Sequence, residues 1–137
     1  MSDVQTQTRA QTRRIPAPAI NNESKPFWDA AKEGRFLIKR CGDCGKAHWY
    51  PRIICPYCFS ENTKWEESPG EGVIYTFSIM YHTQGPPYAI GYVTLNEGPS
   101  MLTNFVGDLD ALKIGQQVKL RFQETEGGPP VPVFAPA

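Results

Sequence analysis

Four cysteines are the residues in this chain whose type and spacing most directly suggest chemistry. They form two Cys-x2-Cys pairs, Cys41/Cys44 and Cys55/Cys58, separated by ten residues. Each pair can curl into a tight turn that presents both sulfurs to one ion, and the intervening segment can bring the second turn over to complete a tetrahedron. The spacing therefore predicts a single metal site with four thiolate ligands.

Zn²⁺ is the expected ion, because it accepts four thiolates and needs no redox partner. A site closed by four cysteines has no open coordination position, so we expect a structural rather than a catalytic metal. The alternatives are two disulfides, an iron centre of the rubredoxin type and a redox dithiol. The polar N-terminus lacks the apolar stretch of a secretory signal, which argues for a reducing, cytoplasmic setting.

The residues that follow the two cysteine pairs differ in size. Gly45 follows the first pair, where a glycine can adopt a positive φ and bring an N–H close to a sulfur. Phe59 fills the equivalent place after the second pair. A bulky residue tolerates a positive φ poorly, so we expect the second turn to be distorted.

The charges are divided unevenly along the chain. Residues 1–66 carry eleven Lys/Arg and seven Asp/Glu, a net +4, whereas residues 67–137 carry three and seven, a net −4. Four basic residues lie near the cysteines, Lys39, Arg40, Lys46 and Arg52. They can offset the negative charge of a four-thiolate centre or bind an anionic ligand. No apolar run approaches the roughly 18 residues that a membrane helix needs, so we expect a soluble protein.

The elements that position the cysteines can be predicted from the first half of the chain. Residues 1–24 are rich in Gln, Thr, Arg and Ala and are expected to form a flexible tail. Ser24 can cap a helix over about 25–33. Strands over 35–40 and 49–54 would then lead into the first and second cysteine pairs. We therefore predict that residues 25–66 form a helix and a rubredoxin-like zinc ribbon.

The composition changes at Pro69-Gly70-Glu71-Gly72, a turn-forming sequence that we interpret as a hinge. Beyond it, alternation of apolar and polar residues predicts five short strands, the last of them marked by proline and therefore expected at a sheet edge. Five strands after a hinge favour a small barrel over residues 67–137, and a glycine just before the fourth strand suits an OB-fold topology. The predicted fold class is mainly β. The predicted strands are 73–82, 88–96, 100–107, 118–123 and 131–134, with a turn or short helix over 108–115.

Several short motifs occur together along the chain. They are Pro26-Phe27-Trp28 at the helix start, Gly34-Arg35 at its end, the two cysteine pairs with Pro51-Arg52 and Pro56, Ile74-Tyr75-Thr76-Phe77 after Gly72, and Phe134-x-Pro136. In this combination, from about residue 25 to its end, the chain resembles the zinc-ribbon/OB-fold proteins associated with acyl-CoA enzymes. The resemblance implies a non-catalytic subunit that docks on a thiolase-like enzyme, a thiolase or an aldolase, and in some members helps to shape the coenzyme A site.

The remaining residues give little support to catalysis by this chain alone. Thiolase chemistry needs a nucleophilic cysteine with acid and base partners, and the metal site accounts for every cysteine. The chain has two histidines, His48 and His82, and no Gly-x-Ser-x-Gly elbow. We therefore expect the partner to supply the nucleophile and the base, and we hypothesise that His82 faces the mouth of the partner's active site.

Coenzyme A suits the uneven charge, because its phosphates call for Arg and Lys. Arg52, Lys39 and Arg40 are the candidate ligands. The pantetheine arm could run along an aromatic groove such as one lined by Tyr75, Phe77 or Tyr81, although filling the barrel interior is the ordinary role of such side chains.

Two other classes of function compete with this interpretation. Zinc ribbons and OB-folds also serve as nucleic-acid-binding modules, but a barrel of net −4 would repel a phosphate backbone. A stand-alone acyl-CoA-binding protein or hydrolase is the other alternative, and turnover of an acyl-CoA by the isolated chain would reveal the hydrolase.

Overall fold

The computed structural model describes residues 15–81 and 84–137. One helix precedes a three-stranded sheet, and a five-stranded barrel follows. His82 lies outside the described residues, so its hypothesised role stays a prediction. The elements are helix α1, Lys25–Lys32; sheet strands β1, Phe36–Cys41, β2, Ala47–His48, and β3, Thr63–Ser68; barrel strands β4, Glu71–Met80, β5, Tyr88–Leu95, β6, Ser100–Phe105, β7, Gln117–Gln123, and β8, Val131–Pro136; and a 3₁₀ turn, Leu109–Ala111.

Helix α1 begins after Ser24, as predicted, and buries Phe27 and Trp28 against the sheet. Pro26 sits in the first turn, where a missing N–H breaks no helical hydrogen bond. The Ser24 hydroxyl does not cap the helix; it accepts a hydrogen bond from the Asn21 N–H at 3.3 Å instead. Ser24 therefore fixes the turn that leads into the helix.

The N-terminal sheet has β1 at its centre, with β2 and β3 antiparallel on either side. The predicted strand over 49–54 is wrong: this segment, which is described throughout, forms no strand. Pro51 has no N–H, and the next two N–H groups bind side chains, Arg52 N donating to His48 Nε2 and Ile53 N to a carboxylate oxygen of Glu23. Strand β3 instead completes the sheet, although its mostly polar sequence gave no strand signal.

The barrel closes in the order β4-β5-β6-β8-β7, with β7 pairing back onto β4. Every pairing is antiparallel except that of β6 with β8, which meet at Phe105 and Phe134. This arrangement confirms the five-stranded OB-like barrel. The edge position expected for the last strand is wrong, because β8 lies between β6 and β7. Strand β8 pairs with β6 at one position, Phe105 with Phe134, whereas Pro132 pairs with Phe122 of β7. The missing N–H of Pro132 therefore lies outside the pairing with β6.

A β-bulge between Ile74 and Thr76 interrupts the alternation of β4. Ile74 is buried before the bulge, and Phe77 packs against the core after it, so the inward side changes from even to odd residues. Tyr75, at the bulge, is 67% exposed. Phe77 therefore takes the core-packing role that the sequence left open, while Tyr75 faces solvent.

The buried side chains of the sheet and the barrel belong to one cluster. Phe27 and Phe36 from the first half share it with Ile74, Met101 and Phe134 from the second. In the described part of the chain, none of the helices has the length and apolar character required to cross a membrane.

Part of the predicted tail contacts the barrel. Glu126 N donates to Ile15 O at 2.9 Å, and Pro16 forms a parallel bridge with Glu126. Residues 1–14 lie outside the described residues, so the flexible tail over 1–24 stays a prediction. The division between 66 and 67 also stays a prediction, although it falls within β3, which pairs with β1 as far as Ser68.

Candidate metal centre and the cleft beside it

The four cysteine sulfurs converge on one point. Every pair of Sγ atoms lies within 4.8 Å, with 3.5 Å between Cys41 and Cys58 and 3.7 Å between Cys44 and Cys55. A tetrahedral zinc with Zn–S bonds of about 2.3 Å places its sulfurs about 3.8 Å apart. The donor set and its spacing therefore fit structural zinc.

The two turns that carry the cysteines have the same backbone geometry. Gly45 N donates to Cys41 O at 3.0 Å, and Phe59 N donates to Cys55 O at 2.9 Å. The φ angles are 78° at Gly45 and 66° at Phe59. The expected distortion of the second turn is therefore wrong, because Phe59 adopts the left-handed conformation itself, with its side chain 78% exposed.

Backbone N–H groups point at the sulfurs of both turns. Cys44 N and Asp43 N lie 3.4 and 3.3 Å from Cys41 Sγ, and Tyr57 N lies 3.4 Å from Cys55 Sγ. The hydrogen bond from Cys44 N, followed by that from Asp43 N, lowers the pKa of the Cys41 thiol to about 6. The backbone thus favours the thiolate, which is the form that binds metal.

A small polar network joins the first turn to the segment after the second. The Asp43 carboxylate accepts hydrogen bonds from Ser60 Oγ and, at 3.1 Å, from Asn62 Nδ2. These bonds, Ser60 first, lower the pKa of Asp43. Gly42 N also donates to Asn62 O at 2.7 Å. These hydrogen bonds therefore hold the first cysteine turn to residues 60–62 without a contribution from a metal ion.

Of the three candidate cations, Lys39 and Arg40 are engaged within the sheet. Lys39 is 8% exposed, and its Nζ lies 3.3 Å from Thr63 Oγ1 and 4.6 Å from the centre of the Trp65 ring. Burial lowers its pKa. Arg40 binds Glu66 through Nε at 2.8 Å and Nη2 at 3.0 Å. As consecutive strand residues, Lys39 and Arg40 project from opposite faces of β1.

Arg52 differs from the other two because its side chain is exposed and, among the described residues, its guanidinium forms no ion pair. It lines a cleft of about 560 Å³ beside the second cysteine turn, together with Glu23 and the exposed apolar residues Ile53, Ile54 and Phe59. Arg52 is therefore the candidate whose position suits an anionic ligand.

Tyr81, from the predicted aromatic groove, is exposed and donates to Asp110 Oδ1 at 3.2 Å.

His48 positions Arg52, a role that sequence reasoning did not assign. It is 2% exposed, and its Nε2 accepts a hydrogen bond from Arg52 N at 3.3 Å. Its Nδ1 has no hydrogen-bond partner among the described residues. Burial lowers the pKa of His48, so the neutral ring is favoured. His48 is a single histidine between Ala47 and Trp49, and no motif in the sequence indicated this contact.

Comparisons with known proteins agree with this architecture. The family described as "ChsH2, rubredoxin-like zinc ribbon domain" matches residues 28–64, and "ChsH2, C-terminal OB-fold domain" matches residues 65–123. A solved structure described as "Ltp2-ChsH2(DUF35) aldolase" has a chain that is 35% identical, with a TM-score of 0.76 over 87% of this chain and 98% of that one. This chain belongs to the ChsH2/DUF35 family.

Two curated relatives extend the comparison. A probable enoyl-CoA hydratase alpha subunit from Thermomonospora curvata is 35% identical over 97% of this chain, which spans only 43% of that relative's length. Benzoylsuccinyl-CoA thiolase subunit BbsA from Geobacter metallireducens is 29% identical over 59% of this chain and 57% of its own length. These proteins are thus named as an aldolase, a probable hydratase subunit and a thiolase subunit.

Proposed function

We propose that this chain is the non-catalytic, zinc-binding subunit of a thiolase-like enzyme that makes or breaks a C–C bond next to an acyl-CoA thioester. The observation that carries the proposal is the convergence of all four cysteines of the chain on one metal cluster. No thiol is left to act as an acyl-transfer nucleophile, so that group must come from a partner. The relatives that are named as a thiolase subunit and an aldolase support the class of partner.

In this complex the chain's own residues supply structure. Cys41, Cys44, Cys55 and Cys58 would hold zinc, which cross-links the two turns of the ribbon when bound. The Asp43 network and the backbone N–H groups hold those turns in place. The partner would supply the nucleophile and the base.

The subunit would also contribute to coenzyme A binding through Arg52. A phosphate beside the guanidinium would gain charge-assisted hydrogen bonds, and Ile53, Ile54 and Phe59 offer apolar surface in the same cleft. Lys39 and Arg40 would contribute through the positive potential of the ribbon, since both side chains already have partners.

Purification of the tagged chain from its native cells, with mass spectrometry and an acyl-CoA cleavage assay on the eluate, tests the accessory role. We expect a co-purifying thiolase-like protein whose activity falls when this subunit is removed, and no turnover by the isolated chain. Recovery of the chain alone or with nucleic acid would contradict the proposal. Turnover of an acyl-CoA by the isolated chain would favour the hydrolase.

The coenzyme A role has its own test in the reconstituted complex. Arg52→Glu should weaken coenzyme A binding by about tenfold or more, because a charge-assisted hydrogen bond contributes about 1.5–3 kcal/mol. Lys32→Glu, which makes the same charge change at the exposed end of α1, should leave the affinity unchanged. Equal affinities for the Arg52→Glu complex and the wild type would exclude this role for Arg52.

A further inference from the structure

One face of the barrel exposes apolar side chains and carries no charge. It consists of the even-numbered residues of 76–80, 90–94 and 100–104, which point outward from β4, β5 and β6. We call it the neutral face. None of these nine residues is Asp, Glu, Lys or Arg, although residues 67–137 carry ten such side chains. The charges of the barrel all lie elsewhere.

The centre of the neutral face is apolar and contiguous. Tyr92 and Leu102 are cross-strand neighbours, 43% and 54% exposed, and Ile90 on the same side of β5 is 37% exposed. The outward side of an antiparallel sheet is ordinarily polar when it faces water. A contiguous apolar patch in that place marks an interaction site.

The position and composition of the face indicate the kind of partner. OB-folds bind oligonucleotides on their second and third strands, which are β5 and β6 here. Phosphates would meet no cation on this face, so nucleic acid does not suit it. Tyr, Leu, Ile and Met among Ser, Thr and Asn, with charged residues depleted, match the core of a protein–protein interface.

The neutral face continues onto the zinc ribbon. A cleft of about 360 Å³ joins Ile90 and Leu102 of the barrel to Trp49 and Tyr50 of the ribbon. Tyr50 is 39% exposed at this border. A protein seated on the face would therefore contact both halves of the chain.

We propose that the neutral face is the surface on which the catalytic enzyme subunit docks, through an uncharged, apolar patch of its own. This inference rests on the proposed function, which supplies the partner. None of the nine residues of the neutral face is charged, so a partner patch with charges at its centre would lose hydration without gaining an ion pair on the neutral face.

Leu102 and Ile114 form a pair for the test, because both are exposed apolar side chains of the barrel, 54% and 71% exposed. Ile114 lies between the 3₁₀ turn and β7, outside the neutral face. With the enzyme subunit that the wild type captures, purified separately, Leu102→Glu and Tyr92→Glu should each weaken association by about 30-fold or more. Ile114→Glu should bind within about threefold of the wild type. Circular dichroism and zinc content should be unchanged in all three variants.

Wild-type affinity for both Leu102→Glu and Tyr92→Glu would overturn the inference. An equal or larger loss in Ile114→Glu would place the interface at the segment before β7 and also overturn it. Light scattering would show whether the chain alone dimerises through this face; a dimer that Leu102→Glu dissociates, without an effect on the enzyme, would assign the face to a second copy. If the wild type captures no thiolase-like subunit, the proposed function fails first, and this inference fails with it.

Discussion

At the scale of single residues, Phe59 occupies a position that suits glycine. The left-handed backbone conformation costs an L-residue about 1–2 kcal/mol of steric strain. Glycine has no such strain, but it costs about 0.5–1 kcal/mol of conformational entropy on folding, because the unfolded chain is freer at a glycine. Because the Phe59 side chain is 78% exposed, little burial is lost in Phe59→Gly. We expect this variant to raise the free energy of unfolding of the zinc-loaded chain by about 0.5–1 kcal/mol, measured by urea denaturation.

Gly45 gives the matched control, since it holds the same place in the first turn. A Cβ there meets nothing within 4 Å, so Gly45→Ala changes the backbone preference alone. Its φ of 78° disfavours alanine, and we expect a loss of about 1 kcal/mol. A less stable Phe59→Gly variant would mean that the exposed ring stabilises the isolated chain.

His48 should make stability depend on pH. Its pKa is lowered in the folded chain by burial, so the unfolded chain binds more protons between the folded pKa and the ordinary value near 6.5. Its contribution to stability is therefore fully present above about pH 6.5 and is lost as the pH falls toward the folded pKa. Protonation would also remove the Nε2 acceptor that holds Arg52 N.

Urea denaturation between pH 5 and 8 measures this effect. Acid also releases zinc from thiolates, so the comparison is with His48→Gln, which retains an acceptor and does not titrate. The wild type should lose more stability than His48→Gln between pH 6.5 and 5. Parallel profiles would show that His48 titrates alike in the folded and unfolded chains.

At the scale of elements, the bulge in β4 requires a glycine on the neighbouring strand. A Cβ at Gly91 would lie 2.1 Å from Thr76 O and 2.7 Å from Phe77 Cα. Both atoms belong to the backbone, so no change of side-chain rotamer can relieve the overlap. Gly91→Ala must therefore move β4 away from β5. We expect a loss of about 3 kcal/mol or more in the free energy of unfolding, in the range of overpacked cores.

Gly85→Ala serves as the control for Gly91→Ala, because a Cβ at Gly85 meets nothing within 4 Å. We expect it to change the free energy of unfolding by less than about 0.5 kcal/mol. A Gly91→Ala variant as stable as Gly85→Ala would mean that the strands separate at little cost.

How far the elements could be predicted depended on whether their signals were local. The cysteine spacing and the alternation of β5 are local patterns, and both predicted their elements. Strand β3 could not be predicted, because its polar residues form a strand only through pairing with β1. The bulge in β4 was also hidden, because the alternation along β4 continues through it in the sequence and the close approach of β4 to Gly91 is a contact between strands.

The candidate site shows the same limit. The cysteine ligand set followed from spacing alone, and the four sulfurs do converge. The basic residues near them were chosen by position in the chain, which does not indicate that Arg40 binds Glu66 or that Lys39 is buried. The neutral face required the strand register, because its apolar centre combines residues from two strands.

At the scale of the whole molecule, the chain should unfold as one unit although its two halves have different folds. All three tryptophans, Trp28, Trp49 and Trp65, lie in the first half, so their fluorescence reports on the ribbon. Trp28 shares one buried cluster with Ile74 and Phe134 of the barrel. We therefore expect coincident unfolding midpoints for tryptophan fluorescence and far-ultraviolet circular dichroism in the zinc-loaded chain.

Gly91→Ala makes this expectation sharper, because the substitution lies in the barrel whereas every tryptophan lies in the ribbon half. Loss of barrel stability should lower the fluorescence midpoint by as much as the circular dichroism midpoint if the shared cluster couples the halves. Zinc chelation, which acts on the ribbon, should likewise lower both midpoints together. A Gly91→Ala variant with an unchanged fluorescence midpoint would show instead that the ribbon is stable without the barrel, and that the common cluster contributes little to cooperativity.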